Sequence, residues 1–150
     1  MTIIRPAAMA DLDRLVVLLQ ALFRIEADFA CDEARQRRGL AMLLVRPTAR
    51  VMVAEEKDGV IGMATGQIII STAEGGFALL VEDVVVAPPW RGQGIGRRLL
   101  AALADWAGEQ GISRLQLLAD RNNRPALEFY RANGWQTTEL VCLRRRLPPA

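Results

Sequence analysis

The chain passes from a β-branched run through a glycine-rich turn into a helical pattern over Val84-Val85-Val86-Ala87-Pro88-Pro89-Trp90-Arg91-Gly92-Gln93-Gly94-Ile95-Gly96-Arg97. Because the three glycines lack a Cβ, successive backbone N–H groups can converge there and a ligand can approach closely. The helix start adds unpaired amides and a partial positive charge, and Arg91 and Arg97 add side-chain charge. The stretch predicts a phosphate-binding turn. The less favoured alternative is a glycine-rich helix start without a ligand.

Two other phosphate motifs fit this stretch less well. A Walker loop needs Gly-Lys-Ser/Thr, and the only lysine in the chain is Lys57. The dinucleotide fingerprint G-x-G-x-x-G needs its third glycine one place later than Gly96, and it normally follows the first strand of a parallel sheet. Here the turn follows an antiparallel meander, so the dinucleotide interpretation is a weak rival.

Length and composition predict a single domain over residues 1–150, with 51% hydrophobic residues to form its core. No apolar run approaches the about 18 residues of a membrane span, and the N-terminus has no apolar leader region. We therefore expect a cytoplasmic protein without a membrane partner. The net charge of +2 is too small to predict a nucleic-acid partner.

The chain contains no histidine. This excludes Ser-His-Asp and Cys-His catalysis and the histidine zinc sites, because each needs an imidazole. Cys31 and Cys142 match no metal or redox spacing, so we expect buried or inert thiols and no metal. Any chemistry must use carboxylates, tyrosine, backbone amides or a bound cofactor.

Hydrophobic periodicity and turn residues divide the chain into ten elements. An Asp-Gly turn at Asp58-Gly59 predicts a hairpin, and Gly111 predicts a helix end. The crossover within 80–119 should join parallel strands. We expect strands at 2–5, 50–55, 60–70, 77–87, 115–119 and 140–147, and helices at 11–24, 32–45, 94–110 and 123–132.

The stretch Arg91-Gly92-Gln93-Gly94-Ile95-Gly96 fits R/Q-x-x-G-x-G/A and resembles the acetyl-CoA pyrophosphate loop of the GNAT superfamily of N-acetyltransferases. Residues 4–11 resemble the opening strand and helix of that superfamily, and Asn123 to Trp135 its last helix with F-Y-x-x-x-G-F/W. Val81-Glu82-Asp83 is similar to the diamine acetyltransferases. The resemblance covers nearly the whole chain. It implies an α/β (α+β) fold with a mixed, mostly antiparallel sheet of six to seven strands and about four helices on both faces.

The resemblance also implies direct acetyl transfer from acetyl-CoA to an amine, without an enzyme nucleophile or a metal. The pantetheine arm would pair with the backbone of Val84 and Val86 like an added strand, and Asn123 would hydrogen-bond that arm. A backbone N–H near Val84 or Val85 would polarise the thioester carbonyl. The expected cofactor-binding residues are Val84, Val85, Val86, Arg91, Gly92, Gln93, Gly94, Ile95, Gly96, Arg97 and Asn123.

Two proton transfers need side chains. Glu82 or Asp83 is the candidate base towards the amine, directly or through water, and Glu82 ranks first. Neighbouring strand residues point to opposite faces, so only one of them can face the acetyl group. A solvated acidic patch is the alternative for this pair. Tyr130, the only tyrosine, is the candidate acid towards the thiolate, and the alternative there is a core aromatic.

The resemblance implies a primary amine as the acceptor, and Glu26 and Asp28 with the 82–83 pair predict an acidic site mouth that suits a small cationic metabolite. The equally favoured alternative to this acidic mouth is that 23–29 is an ordinary solvent-exposed loop between two helices. Two other functions stay open: acetylation of protein N-termini or lysines, and a non-catalytic module that senses acyl-CoA. Analogy with the superfamily suggests a homodimer, whereas no feature predicts a nucleic-acid partner.

Overall fold

The computed structural model describes residues 1–25 and 30–149. It divides into two compact units, Met1–Leu117 and Leu118–Ala150. The first unit holds a five-stranded mixed sheet in the order β1-β2-β3-β4-β5, with three antiparallel pairings and a parallel β4–β5 pairing. Its strands are β1 (Ile3–Pro6), β2 (Ala49–Glu56), β3 (Gly59–Ser71), β4 (Gly76–Val86) and β5 (Leu115–Leu117).

Among the described residues, three α-helices belong to the first unit and one to the second. The crossover from β4 to β5 runs through α3 and joins parallel strands, as the sequence predicts. Within the described residues, no helix has both the length and the apolarity to cross a membrane. The helices are α1 (Leu12–Ile25), α2 (Glu33–Val45), α3 (Ile95–Glu109) and α4 (Arg124–Ala132), and short 3-10 turns lie at Met9–Asp11 and Pro88–Trp90.

The mixed α/β architecture is confirmed, but the expected six to seven strands are wrong, because the described sheet has five. The strand predicted over 140–147 does not form, and 135–149 contains neither helix nor strand. Leu140, Val141, Leu143 and Leu147 are 72–90% exposed. The arginines at 144–146 would put charge on both faces of a strand, so neither face offers a continuous apolar surface to bury.

The core of the first unit lies between the sheet and the apolar stripes of its helices. Leu15 of α1, Leu40 of α2 and Met63 of β3 are essentially inaccessible and belong to one cluster. On α3, Leu99 and Leu103 are fully buried on one face, in line with the hydrophobic periodicity that predicts this helix. The buried sheet and α3 together fix the position of the turn between β4 and α3.

Arg5 ties the first strand to its neighbours. Its guanidinium donates to both carboxylate oxygens of Asp11 at 2.8 and 3.0 Å, and its Nε donates to Glu55 of β2 at 2.9 Å. Asp11 also accepts from the backbone N–H of Ala8 at 2.8 Å. Hydrogen bonding to Arg5 holds the pKa of the Asp11 carboxyl below its ordinary value, although partial burial opposes this. Charge-assisted hydrogen bonds from Arg5 to two carboxylates, Asp11 and Glu55, therefore hold the N-terminal segment against β2.

We predict that Asp11→Asn lowers stability at pH 7 by about 1–2 kcal/mol, a melting-temperature loss of about 3–6 °C. Because the pKa of Asp11 is lowered in the folded protein, its stabilisation is present above the unfolded pKa of about 4 and is lost as pH falls further. Thermal melts between pH 7 and 3 should show the two proteins converging. Asp105→Asn, at an exposed site on α3, is the control and should match the wild type. A gap between Asp11→Asn and wild type that stays constant with pH would contradict this role.

Candidate active site

The open edge of β4 is the first component of the site. The parallel pairing with β5 ends at Val81 opposite Leu117. From Glu82 to Val86, β4 has β3 on one side, and no described strand pairs with its other side. Unpaired backbone groups at such an edge can bind an extended, peptide-like ligand as an additional strand.

The ladder with β3 determines which backbone groups face this edge. The N–H of Ala87 donates to the carbonyl of Ile61 at 2.8 Å, which directs the backbone of Ala87 towards β3. Because hydrogen-bonding directions alternate along a strand, the backbone groups of Val86 and Val84 point to the open edge. The Val86 carbonyl accepts from Nε of Arg91 at 2.9 Å. The Val86 N–H and the backbone of Val84 remain for a ligand.

A β-bulge interrupts β4 at Asp83. Thr65 pairs with Glu82 and Met63 with Val85, so β4 carries one more residue than β3 between these pairs. Asp83 has φ 52°, the only positive φ of a non-glycine residue in the described part of the chain. Bulges re-aim side chains and are frequent beside active sites. The rule that neighbouring strand residues point to opposite faces of the sheet therefore does not apply to Glu82 and Asp83. The sequence gives no indication of this bulge.

The Thr65 hydroxyl donates to the carbonyl of Glu82 at 2.9 Å from a nearly inaccessible position. This bond fixes the backbone where the bulge begins. The carboxylate of Glu82 is exposed, while Asp83 is half-buried. The sequence alone does not single out Thr65, since a threonine within an apolar strand is typical of any half-buried sheet.

The glycine-rich turn has the conformation that its sequence predicts. Gly92 and Gly94 have φ of 76° and 79°, a left-handed conformation that strongly favours glycine. A Cβ added at either residue would meet no atom within 4 Å, so the space over both is open. Ile95, the next residue, is only 3% exposed. Its buried side chain holds the first turn of α3 against the core while its backbone remains at the surface.

The first turn of α3 presents unpaired amides. The first intrahelical bond runs from the N–H of Arg98 to the carbonyl of Gly94 at 3.1 Å. The N–H groups of Ile95, Gly96 and Arg97 precede that bond, and Gly94 provides no side chain to cap them. Gln93 and Arg97 are exposed beside them. This arrangement is an anion site made of backbone donors, a helix dipole and the exposed positive charge of Arg97.

In the second unit, Asn123 is the N-cap of α4. Its Oδ1 accepts from the N–H of Ala126 at 3.2 Å, so its side-chain NH2 is the group left for a ligand. Tyr130 packs edge-to-face against Phe129 and Trp135, with ring centroids 5.3 and 5.9 Å away. The ring has the surroundings of a packed aromatic, and catalysis by its hydroxyl stays a prediction.

Two of the expected substrate-binding residues, Glu26 and Asp28, lie outside the described residues. Cys31 and Cys142 are free and exposed, so of the expected buried or inert thiols the buried alternative is wrong, and their inertness stays a prediction. The structure brings Glu82, Asp83, Val84–Val86 and the 91–97 turn into one continuous strand–turn–helix of the first unit, whereas Asn123 and Tyr130 belong to the second.

The model of the Acetyltransferase (GNAT) family matches residues 18–135. Streptothricin acetyltransferase from Streptomyces lavendulae is 38% identical over 87 residues, which are 58% of this chain and 44% of that protein. Aminoalkylphosphonate N-acetyltransferase from Salmonella typhimurium is 28% identical over 133 residues, 89% of this chain and 84% of that protein. Bovine thialysine N-epsilon-acetyltransferase is 38% identical over 61 residues, 41% of this chain and 36% of that protein.

The fold has close structural counterparts. A crystal structure of a predicted acetyltransferase with acetyl-CoA from Clostridium acetobutylicum has a TM-score of 0.80 and 25% identity, and the match covers 96% of each chain. The chain spans less than half of the streptothricin and thialysine enzymes but most of the Salmonella enzyme.

The turn allows a test with a matched control. Gly94→Ala should strain the left-handed conformation by about 1–2 kcal/mol and place a methyl group in the open space, weakening CoA binding about tenfold or more. Gly75→Ala carries comparable strain, at φ 65° in the β3–β4 hairpin, and should leave CoA affinity unchanged. Titration calorimetry with CoA is the measurement. Equal affinities in both variants would remove Gly94 from the site.

Proposed function

The chain belongs to the GNAT family of acetyl-CoA-dependent acetyltransferases, which confirms the resemblance at 91–96, and on that premise we propose that it transfers the acetyl group of acetyl-CoA directly to the primary amine of a small cationic metabolite. The observation that carries this proposal is the uncapped start of α3 next to the open edge of β4. The first suits a pyrophosphate, and the second suits a peptide-like arm.

The two halves of the donor match these two features. The amides of Ile95, Gly96 and Arg97 would bind the pyrophosphate, with Arg97 adding charge from its exposed position. The pantetheine arm contains amide groups, so it can pair with the backbone at Val84 and the N–H of Val86. Arg91 is tied to the Val86 carbonyl and thereby fixes the junction of strand and turn. Asn123 is assigned to the arm by the family resemblance and would act through its NH2 group.

Acetyl-CoA supplies an activated thioester, so the chain's residues have three tasks. Of the two expected donors, Val84 and Val85, only Val84 faces the open edge, so its backbone N–H would stabilise the negative charge that develops on the carbonyl oxygen as the amine attacks. Glu82 or Asp83 would take the proton that the ammonium form must lose before attack, directly or through water. Tyr130 would donate a proton to the departing CoA thiolate, so that the products are the acetylated amine and CoA.

An amine acceptor is supported by the relatives. The Salmonella relative is an aminoalkylphosphonate N-acetyltransferase and the bovine relative a thialysine N-epsilon-acetyltransferase. Two carboxylates at 82 and 83 beside the proposed thioester position favour a cationic acceptor. Protein N-termini and lysines are the second acceptor class, and a non-catalytic acyl-CoA sensor is the remaining alternative.

A release assay tests the proposal. The purified protein is mixed with acetyl-CoA and one amine at a time, and free CoA thiol is followed with DTNB. The panel contains a polyamine, an amino sugar, lysine, 2-aminoethylphosphonate and a peptide with a free N-terminus and an internal lysine. Thiol release is expected with at least one small amine. Release with the peptide alone would favour protein acetylation, and tight acetyl-CoA binding without any turnover would favour the sensor.

Tyr130→Phe separates catalysis from packing, because phenylalanine keeps the ring contacts with Phe129 and Trp135 and removes only the hydroxyl. We predict a loss of about 100-fold in kcat, the lower end of what a proton donor contributes. The Kd for acetyl-CoA, measured by calorimetry, should stay close to wild type, and a thermal melt verifies that the variant is folded. An unchanged kcat would remove Tyr130 from the mechanism and leave it as a packed aromatic.

A further inference from the structure

The second unit contains a cleft of about 360 Å³ beside α4, lined by Arg121, Arg124, Leu127, Glu128 and Arg131. We propose that this cleft binds a phosphate monoester or a phosphonate, a tetrahedral group with up to two negative charges. The site is separate from the glycine-rich turn in the sequence, and it uses side chains where the turn uses backbone amides. The proposal rests on the proposed function for the identity of the molecule that carries the group.

The charge lining the cleft is unbalanced. Arg124 and Arg131 lie two turns apart on one face of α4, and Glu128 is placed between them at spacings that allow ion pairs. No carboxylate of residues 1–25 or 30–149 comes within 4.0 Å of the guanidinium of Arg121, Arg124 or Arg131. Three positive charges thus face one negative charge. Because the three guanidinium groups make no ion pair with a described carboxylate, their N–H donors are available to an external anion.

The chemistry of the lining selects phosphate over a simple carboxylate. A guanidinium offers a planar fork of donors that can hold two phosphate oxygens at once, and two or three such forks can surround a tetrahedral group. The positive end of α4 adds to the field, since Arg124 is its first residue. Leu127 is half-buried and provides an apolar surface within the cleft.

The volume indicates that more than a bare phosphate can enter. A cleft of about 360 Å³ falls at the lower end of the roughly 300–1,000 Å³ that small-molecule sites occupy. An isolated inorganic ion would leave most of this space to water. The cleft therefore fits a phosphate or phosphonate attached to a larger group, which can pack against Leu127 and the flat faces of the guanidinium groups.

Two molecules in the proposed reaction can carry this chemistry. CoA bears a ribose 3′-phosphate in addition to its pyrophosphate. An acceptor amine can instead carry a phosphonate, the class of compound named for the Salmonella relative. Both present the same anion to the three arginines, so the experiment needs one arm for each source.

The first arm measures the donor. Calorimetry gives the Kd of CoA and of dephospho-CoA, which lacks only the 3′-phosphate, for wild type and for Arg124→Gln/Arg131→Gln. The charge-matched control is Arg145→Gln/Arg146→Gln, at exposed positions outside the cleft. If the cleft holds the 3′-phosphate, wild type and control should bind CoA about tenfold more tightly than dephospho-CoA. The cleft variant should lose that preference and keep its affinity for dephospho-CoA.

The second arm measures the acceptor with dephospho-acetyl-CoA as donor, which removes the 3′-phosphate from the comparison. KM is determined for 2-aminoethylphosphonate and for ethylenediamine. If the cleft holds a phosphonate, the cleft variant should raise KM for the phosphonate about tenfold and leave KM for the diamine unchanged. A change in either arm that is confined to the cleft variant supports the proposal.

The same ligand preferences in the cleft variant as in wild type, in both arms, would overturn the proposal. Thermal melts verify that the variant is folded. Failure of the proposed function would look different, because an inactive protein can still prefer CoA to dephospho-CoA in the first arm. Conversely, an active enzyme that shows neither a preference for CoA over dephospho-CoA nor a cleft-dependent KM for the phosphonate would overturn the cleft proposal and leave the proposed function intact.

Discussion

The burial of Ile95 is the constraint on which the rest of the site depends. This side chain belongs to the core, whereas the backbone that carries it opens at the surface. A helix start normally has its free amides capped by a serine, threonine, aspartate or asparagine. Here Gly94 occupies the N-cap in a left-handed conformation and offers no side-chain acceptor. The core therefore fixes the position of a group of amides that no side chain of the described residues caps.

The bulge in β4 complements that arrangement. One extra residue between the pairs Thr65–Glu82 and Met63–Val85 changes the direction of the strand immediately before the turn. The buried Thr65 hydroxyl holds the Glu82 carbonyl, and Arg91 holds the Val86 carbonyl from the other end. The segment between these two contacts carries both candidate bases and the candidate oxyanion donors. A strained residue, Asp83, is thus retained where chemistry is proposed.

Most of the fold could be predicted from the sequence, because the strongest signals are local. Asp58-Gly59 correctly predicts the β2–β3 hairpin, and Gly111 correctly marks the end of α3. The apolar spacing of Leu99 and Leu103 finds the buried face of α3. The predicted strand at 140–147 failed because β-rich composition does not supply a pairing partner, and partners depend on the whole sheet.

The site was predictable in part for the same reason. The glycine-rich turn is encoded locally, and two of its three glycines, Gly92 and Gly94, adopt the left-handed conformation that glycine allows, while Gly96 lies within α3. The bulge depends on the register between β3 and β4, a long-range property that residues 81–86 alone do not encode. The cleft beside α4 also escaped prediction, since Arg124 and Arg131 are typical of an ordinary exposed helix face and Arg121 of the loop before it.

The central claim is that uncapped backbone amides at the start of α3, together with the open edge of β4, bind the acyl donor. Backbone amide chemical shifts during titration of the ¹⁵N-labelled protein with CoA test this most directly. The account predicts the largest changes at Ile95, Gly96 and Arg97, and further changes at Val84 and Val86. Saturable CoA binding that leaves these amides unshifted, with changes elsewhere in the chain, would contradict it.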